Sequence, residues 1–245
     1  MNELALWRRV SAEFIGSAFL AAVVIGSGIA ARQLSPGNIG LELLENAAAT
    51  AAGLYALILM VGPVSGAHFN PVVSFVDASF GGLKWRDALL YLPAQVAGCC
   101  GGAVVANLMF SKAAVSISTH HRASGAHFLS EVVATLGLIL VIFALARSGR
   151  GSSAAAAAVG SYIGAAYFFT SSTSFANPAI SVGRMLSDTF AGIAPSSVPV
   201  FVAAQIVGGL LAYGVIMVLY PGVTKAEAAD VVVPHQLHPN SEVTP

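Results

Sequence analysis

The chain has 245 residues, of which 56% are apolar and only 9% are charged, whereas an average globular protein carries roughly 25% charged residues. So little charge cannot cover a water-exposed surface, which excludes a soluble protein for most of the chain. The 11 basic and 11 acidic residues cancel and the two cysteines, Cys99 and Cys100, are adjacent, so the composition supports neither nucleic-acid binding nor a disulfide framework.

Six apolar stretches are long enough to cross a bilayer, which takes about 20 residues. They lie at about 10–30, 46–64, 88–110, 128–147, 154–173 and 198–220. The loops on the same side of the membrane as the N-terminus carry more Lys and Arg than the loops on the opposite side, here called the outer side. This bias favours cytoplasmic termini. The sequence therefore predicts a multi-pass protein of the plasma (inner) membrane. It has a cytoplasmic N-terminus at 1–9, a membrane domain at 10–221 and a disordered cytoplasmic tail at 222–245.

The membrane domain contains an internal repeat, with one copy at about 10–110 and the other at about 128–221. A glutamate, an Asn-Pro pair and a glutamine recur at an offset of about 110 residues. They are Glu13 and Glu131, Asn70-Pro71 and Asn177-Pro178, and Gln95 and Gln205. Each copy has three spans, so the second enters the membrane from the opposite face. Such inverted repeats place functional sites near the middle of the bilayer.

The two Asn-Pro pairs predict helix starts, because Asn is a preferred N-cap and Pro is favoured at the first helical position. The helices that follow, at about 71–80 and 178–187, are too short to cross a membrane and are expected to dip in from opposite faces. Irregular backbone at that depth is tolerated only where it is buried in protein or lines an aqueous cavity. The predicted pore-lining carbonyls are those of Gly66, Ala67, His68, Thr173 and Phe175. The positive ends of the two half-helices would meet there, passing neutral solutes and repelling cations.

These motifs resemble those of the aquaporin (major intrinsic protein) family. The resemblance rests on Ser-Gly-Ala-His-Phe-Asn-Pro-Val at 65–72, on Asn177-Pro178-Ala179 and on the two glutamates, with Val72 where the family usually has Ala. It implies an all-α membrane protein with six transmembrane helices and two re-entrant half-helices, assembled as a homotetramer with one pore per subunit. No nucleophile–base pair or metal cluster is visible, so neither enzymatic activity nor a cofactor is predicted.

The family resemblance also implies a selectivity filter outside the Asn-Pro turns. Spacing from the two motifs assigns it to Thr50, Ala165, Ser174 and Ile180. The family typically has Arg directly after Asn-Pro-Ala, where this chain has Ile180. With no charged or aromatic residue, the predicted opening is wider and less polar than a water-selective one. Arg184, one helical turn beyond Ile180, either restores a positive charge at the outer vestibule or forms a salt bridge with Asp188.

The absence of the filter arginine, together with the runs at 174–179 and 187–193, resembles a bacterial branch of the family associated with arsenic handling. The predicted function is a passive channel for small neutral solutes. Water, glycerol-like polyols and uncharged metalloid hydroxides such as arsenous acid are the candidate solutes.

Two other functions depend on the buried polar residues. Glu13 and Glu131 are expected to hold the pore-lining loops, and Gln95 and Gln205 to brace helix packing or contact the pore. If the glutamates instead couple protons, the protein is a secondary transporter; a non-conducting structural membrane protein is the third hypothesis.

The histidines and cysteines have mainly structural interpretations. His68 has no second metal ligand nearby, His120, His121 and His127 suit a solvated loop better than a metal or pH-sensing site, and the cysteines suit tight packing better than thiol chemistry.

Overall fold

The computed structural model describes residues 4–147 and 152–220, and every regular element within these two ranges is helical. The helices are α1 (Leu6–Leu34), α2 (Ile39–Ser65), α3 (Pro71–Phe80), α4 (Trp85–Met109), α5 (Gly125–Arg147), α6 (Ser152–Phe169), α7 (Pro178–Gly183) and α8 (Val198–Leu219). Short 3-10 turns follow at Arg184–Leu186 and Pro195–Ser197. The predicted cytoplasmic tail at 222–245 lies outside the described residues.

The six long helices and two half-helices confirm the predicted fold class. Five of the long helices, α1, α2, α4, α5 and α8, have the length and composition to cross a membrane. The fifth predicted span, at 154–173, ends earlier than expected because α6 stops at Phe169. Beyond it the Ser172 hydroxyl donates to Glu131 at 2.6 Å, and Thr173 has a φ of 61°, which a right-handed helix cannot contain. Residues 170–176 therefore form a turn.

The first helix begins at Leu6, earlier than the predicted span. Arg9 consequently lies within α1, where its guanidinium pairs with Asp87 of α4 at 2.7 Å. Both side chains are largely buried, and a buried charge needs such a partner. This pair fixes the N-terminal end of α1 against the start of α4.

The half-helices α3 and α7 have their predicted starting points. α3 also has its predicted end, whereas α7 stops at Gly183 and the chain tightens into the 3-10 turn that starts at Arg184. Each half-helix packs against both α4 and α8, one helix from each repeat. The two repeats are therefore joined through their half-helices, at the middle of the bundle.

The long helices pack in the same way in both repeats, α1 on α4 and α5 on α8. Gly98 of α4 lies against the carbonyl of Phe14, and Gly208 of α8 lies against the carbonyl of Val132. Each glycine allows two helix backbones to approach closely, as small residues commonly do in membrane proteins. The equivalent contacts show that the repeat extends from the motifs to the packing.

The Gly98→Ala variant is expected to be less stable than the wild type by about 1–3 kcal/mol, the usual range for overpacking a core. The added Cβ would overlap the Phe14 carbonyl oxygen, which belongs to a helix backbone and cannot rotate away. Thermal unfolding of the detergent-purified protein measures the effect. Gly101→Ala on the same helix is the control, since nothing lies within 4 Å of its added Cβ. Equal unfolding temperatures for the two variants would contradict the close contact.

Candidate functional site

The two Asn-Pro turns lie directly against each other. The side-chain amide of Asn70 donates to the carbonyl of Ala176 at 2.7 Å, and the amide of Asn177 donates to the carbonyl of Phe69 at 2.7 Å. Both asparagines line the same cavity. The structure thus brings together residues that are more than 100 positions apart in the sequence.

Each asparagine also caps its own half-helix. The Oδ1 atom of Asn70 accepts the N–H of Val72 at 3.0 Å, and the Oδ1 atom of Asn177 accepts those of Ala179 at 2.9 Å and Ile180 at 3.3 Å. Pro71 and Pro178 occupy the first helical positions, where a missing N–H costs nothing. A primary amide has two N–H groups, so each asparagine keeps one donor beyond its bond to the opposite turn.

The backbone before each asparagine is left-handed at equivalent positions. In the first turn φ is 88° at Gly66, 53° at Ala67 and 50° at Phe69. In the second turn the positive values fall on Thr173, Ser174 and Ala176. Such conformations cost of order 1–3 kcal/mol each outside glycine and persist only when the surroundings impose them.

Glu13 supplies those surroundings for the first turn. Its carboxylate accepts hydrogen bonds from the hydroxyl of Ser65 at 2.6 Å, from the backbone N–H groups of His68 at 3.0 Å and Phe69 at 2.7 Å, and from the amide of Gln95 at 2.8 Å. The side chain is completely buried. Four donors fill the acceptor sites of one carboxylate, which explains how a charge is held inside the bundle.

Glu131 holds the second turn with the same set of partners. It accepts from the hydroxyl of Ser172 at 2.6 Å, from the N–H groups of Phe175 at 2.9 Å and Ala176 at 2.8 Å, and from Gln205 at 2.7 Å. Like Glu13 it is completely buried and does not line the cavity. The glutamates are thus placed to support the turns.

The two glutamines connect each glutamate to its half-helix. Gln95 donates to Ser74 of α3 at 3.1 Å, and Gln205 donates to Ser181 of α7 at 3.0 Å. Both are completely buried and neither lines the cavity. These contacts are the ones expected of glutamines that brace helix packing.

The cavity between the turns is narrow, with a volume of about 60 Å³. This holds only a few water molecules at about 10–15 Å³ each. Its lining contains polar side chains, those of Thr50, Asn70, Tyr167, Ser174, Asn177 and Arg184 among them. It also contains the aliphatic side chains of Leu20, Val24, Leu54, Ile58, Leu138, Ile142, Val159 and Ile163.

The predicted pore-lining backbone lies only partly in the cavity. Ala67, His68 and Phe175 line it, whereas Gly66 and Thr173 do not. Val72, the departure from the family motif, points instead toward α8, where an added Cβ on Gly209 would meet its side chain. The larger residue is thus accommodated by a glycine on the facing helix.

Three of the four predicted filter residues, Thr50, Ser174 and Ile180, line the cavity. The structure does not place Ala165 there: it lies on the exposed face of α6. Tyr167 takes the place instead, and its hydroxyl is hydrogen bonded to Thr50 at 3.1 Å. Tyr167 follows Ile163 by four residues, so both share one helix face, while Ala165 is rotated to the other side. The filter region therefore contains an aromatic residue, contrary to the expectation from spacing.

Arg184 lies within the same cavity and is almost fully buried. Its guanidinium carbon is 3.5 Å from the ring centre of Phe175, and its Nε donates to the carbonyl of Ala191. Asp188, the alternative partner predicted from spacing, accepts instead from the N–H of Thr119 at 2.9 Å, and this bond lowers the pKa of Asp188.

The three histidines of the loop between α4 and α5 and the start of α5 contact different partners. Nitrogen atoms of His120, His121 and His127 lie 3.8 Å from Asp188, 3.2 Å from Ser196 and 3.0 Å from Ser124, respectively. Within the described ranges no three His, Cys, Asp or Glu side chains are grouped to hold a metal ion. Cys99 is buried and its Sγ lies 3.7 Å from the carbonyl of Ser17, while Cys100 is partly buried.

His68 and Asp77 form a buried pair that the sequence did not predict. The His68 Nε2 lies 3.5 Å from an oxygen of Asp77, and its Nδ1 lies 3.1 Å from the Ser74 hydroxyl. His68 lies in the turn before α3, and its ring reaches Asp77, which is two helical turns beyond the Asn70 cap. That spacing is the signal by which the pair could have been found.

Comparison with known proteins agrees with this geometry. A sequence model of the family described as Major intrinsic protein matches residues 1–186. The chain is 46% identical over 212 residues to the Aquaglyceroporin AqpS of Rhizobium meliloti (strain 1021), covering 86% of this chain and 90% of that protein. It is 32% identical over 146 residues to the Probable aquaporin NIP7-1 of Arabidopsis thaliana, covering 56% of this chain and 50% of that protein.

A solved structure has the same fold. The X-ray structure of the aquaglyceroporin from Plasmodium falciparum superimposes with a TM-score of 0.68 and 22% identity, covering 89% of this chain and 99% of that one. The match of the family model, the long alignment to a relative and the paired Asn-Pro turns lead to one conclusion. The chain is a multi-pass membrane protein that belongs to the major intrinsic protein family.

Proposed function

We propose that the protein is a passive channel for small neutral solutes, conducting water and glycerol-like polyols. The observation that carries the proposal is the narrow cavity that both Asn70 and Asn177 line. Each amide is held by its own half-helix and by the opposite turn, so its remaining N–H donor is fixed in direction. Fixed donors replace the hydrogen bonds that a solute loses when it leaves water.

The mixed lining of the cavity suits a polyol. A polyol presents both hydroxyl and C–H groups, and the cavity offers the amides of Asn70 and Asn177 together with aliphatic side chains. The positive ends of α3 and α7 also lie at the two asparagines that cap them, where these asparagines line one cavity. This positive field is unfavourable for cations and protons but not for neutral molecules.

The relative AqpS is named an aquaglyceroporin, which supports glycerol as a solute of this chain. Uncharged metalloid hydroxides such as arsenous acid are similar in size and hydrogen bonding, and we include them in the proposal. The proposal also covers a homotetramer in the plasma (inner) membrane, with both termini cytoplasmic and the channel domain at 10–221.

A secondary transporter and a non-conducting structural protein are the competing functions. Coupling transport to protons requires an ionisable group that is accessible alternately from the two sides of the membrane. Glu13 and Glu131 are the candidates, yet each carboxylate is saturated by four hydrogen bonds inside the protein. This arrangement favours the passive channel.

Stopped-flow measurements on proteoliposomes test the proposal, with water, glycerol, urea and arsenous acid as solutes. We expect water and glycerol permeability above that of empty liposomes, unchanged when a protonophore collapses the proton gradient. Uptake that requires the gradient would instead support the transporter. Permeability equal to that of empty liposomes for all four solutes would leave only the structural role.

A further inference from the structure

Arg184 places a positive charge in the cavity at a position that the family motif does not use. The residue directly after Asn177-Pro178-Ala179 is Ile180, so the family's usual arginine is absent. Arg184 nevertheless lines the same cavity as Ile180, Ser174, Tyr167 and Thr50. We propose that Arg184 is the selectivity-determining residue of this pore and replaces the missing arginine from one helical turn further along the chain. The inference rests on the proposed channel function.

Helix geometry explains how the side chain reaches the cavity. Side chains on a helix tilt toward its N-terminus, and residues four positions apart lie on the same face. From its place after α7, Arg184 therefore extends back over the turn that carries Ile180. Two contacts fix its direction: the guanidinium stacks on the ring of Phe175, and Nε donates to the carbonyl of Ala191. Nε is bound in this way, so the two terminal nitrogens are the groups available to a solute.

The charge of Arg184 is not paired in a salt bridge within the described part of the chain. Among residues 4–147 and 152–220, no carboxylate forms an ion pair with it, and Asp188 is bound to Thr119. A second arginine, Arg122, has its guanidinium carbon 5.5 Å from the centre of the same Phe175 ring. The positive charge is therefore directed at the cavity, where it raises the energy of an entering cation.

The polar groups around Arg184 indicate the kind of solute that binds beside it. The hydroxyl of Ser174 is buried and has no hydrogen-bond partner within the described protein, an arrangement that is costly unless a solute or water completes it. The hydroxyls of Tyr167 and Thr50 are bonded to each other and leave further capacity. A neutral solute with two adjacent oxygens, such as a vicinal diol, can accept from the guanidinium and bond to these hydroxyls.

Three variants of Arg184 separate charge from packing in proteoliposomes. Arg184→Gln removes the charge but keeps a hydrogen-bond donor. Arg184→Lys keeps the charge but loses the planar guanidinium that stacks on Phe175. Ile180→Arg combined with Arg184→Ala moves the guanidinium to position 180, where the family usually has arginine. Sodium and proton leak are measured with water and glycerol permeability on the same vesicles. Lys112→Gln, which removes an exposed cation of the outer loops, is the control for surface charge.

We expect Arg184→Gln to raise the cation leak at least about fivefold, the factor given by one unit charge at about 4 Å even in the dielectric of bulk water. Arg184→Lys and the combined variant should retain low leak, and Lys112→Gln should behave as wild type. Glycerol permeability of Arg184→Gln should change by more than its water permeability. Folding is checked by size-exclusion chromatography of each purified variant.

Unchanged leak and unchanged glycerol-to-water ratio in a folded Arg184→Gln variant would overturn the inference, leaving Arg184 as a structural clamp on Phe175. The inference would also be overturned if the cation leak rises in Arg184→Gln and stays high in the combined variant. A guanidinium at position 180 should be enough to keep the leak low. Should Arg184→Gln fail to fold, Arg184→Lys and the combined variant still decide, since high leak in both contradicts the charge role. Failure of the channel function itself is distinct: wild-type vesicles would then be impermeable to every solute.

Discussion

Glu131→Gln is expected to lower the stability of the protein by about 2–5 kcal/mol, because hydrogen bonds to a charged acceptor are replaced by a mismatch. Glu131 Oε1 accepts from Ser172 and Phe175, and Oε2 accepts from Ala176 and Gln205. A glutamine has only one oxygen. The hydroxyl of Ser172 or the amide of Gln205 can reorient, but a backbone N–H cannot. In either orientation the N–H of Phe175 or Ala176 faces another N–H.

The loss corresponds to a fall in unfolding temperature of roughly 5–20 °C for a chain of this size, measured by fluorescence during heating of the detergent-purified protein. Glu13→Gln should behave alike, since its carboxylate has the equivalent partners. Glu45→Gln is the matched control: one oxygen of Glu45 accepts from Ser35, a bond that glutamine keeps. A Glu131→Gln variant with wild-type stability that loses only proton-driven uptake would favour the transporter.

The turns could be predicted from the sequence because their chemistry is local. Asn followed by Pro specifies a capped helix start, and both half-helices begin at the predicted residue. The repeat then implied that the two starts meet from opposite faces. The bond of Asn70 to Ala176 and that of Asn177 to Phe69 are direct consequences of this symmetry.

The filter could not be assigned by spacing because spacing depends on where a helix ends. The assignment of Ala165 assumed a fixed distance between α6 and the second turn, but α6 ends at Phe169 and a strained turn follows. A difference of two residues rotates the side chain to the opposite face of a helix. Ile163 and Tyr167 consequently face the cavity. The pattern of apolar residues along α6 does not by itself show which face of the helix lines the cavity.

The position of Arg184 was also beyond sequence reasoning. Helical spacing relates it equally to Ile180 and to Asp188, so two partners were compatible with the sequence. The structure separates them through contacts made by other elements. Thr119, from the loop between α4 and α5, binds Asp188, and Phe175 of the second turn provides the ring on which the guanidinium stacks. Both are tertiary contacts, with no signature in the local sequence.

Tyr167→Ala is expected to raise glycerol permeability several-fold while water permeability changes less. The ring of Tyr167 lines the same cavity as Ile180 and Arg184 and occupies space there that alanine would leave open. A solute close to the diameter of the opening gains more from its widening than a smaller one does. The variant leaves the hydroxyl of Thr50 without its 3.1 Å partner, but water in the cavity can replace it, so folding should survive. Stopped-flow light scattering of proteoliposomes gives both permeabilities.

Ala165→Phe is the matched control, since it adds an aromatic ring two residues away on the same helix. Ala165 lies on the exposed face of α6, where a larger apolar side chain meets lipid and leaves the cavity unchanged. Its permeabilities should equal those of the wild type. If Ala165→Phe blocks glycerol while Tyr167→Ala has no effect, the filter lies where the spacing placed it and α6 is rotated relative to the structure. If Tyr167→Ala raises glycerol permeability and Ala165→Phe leaves it unchanged, Tyr167 is the residue of α6 that limits solute size.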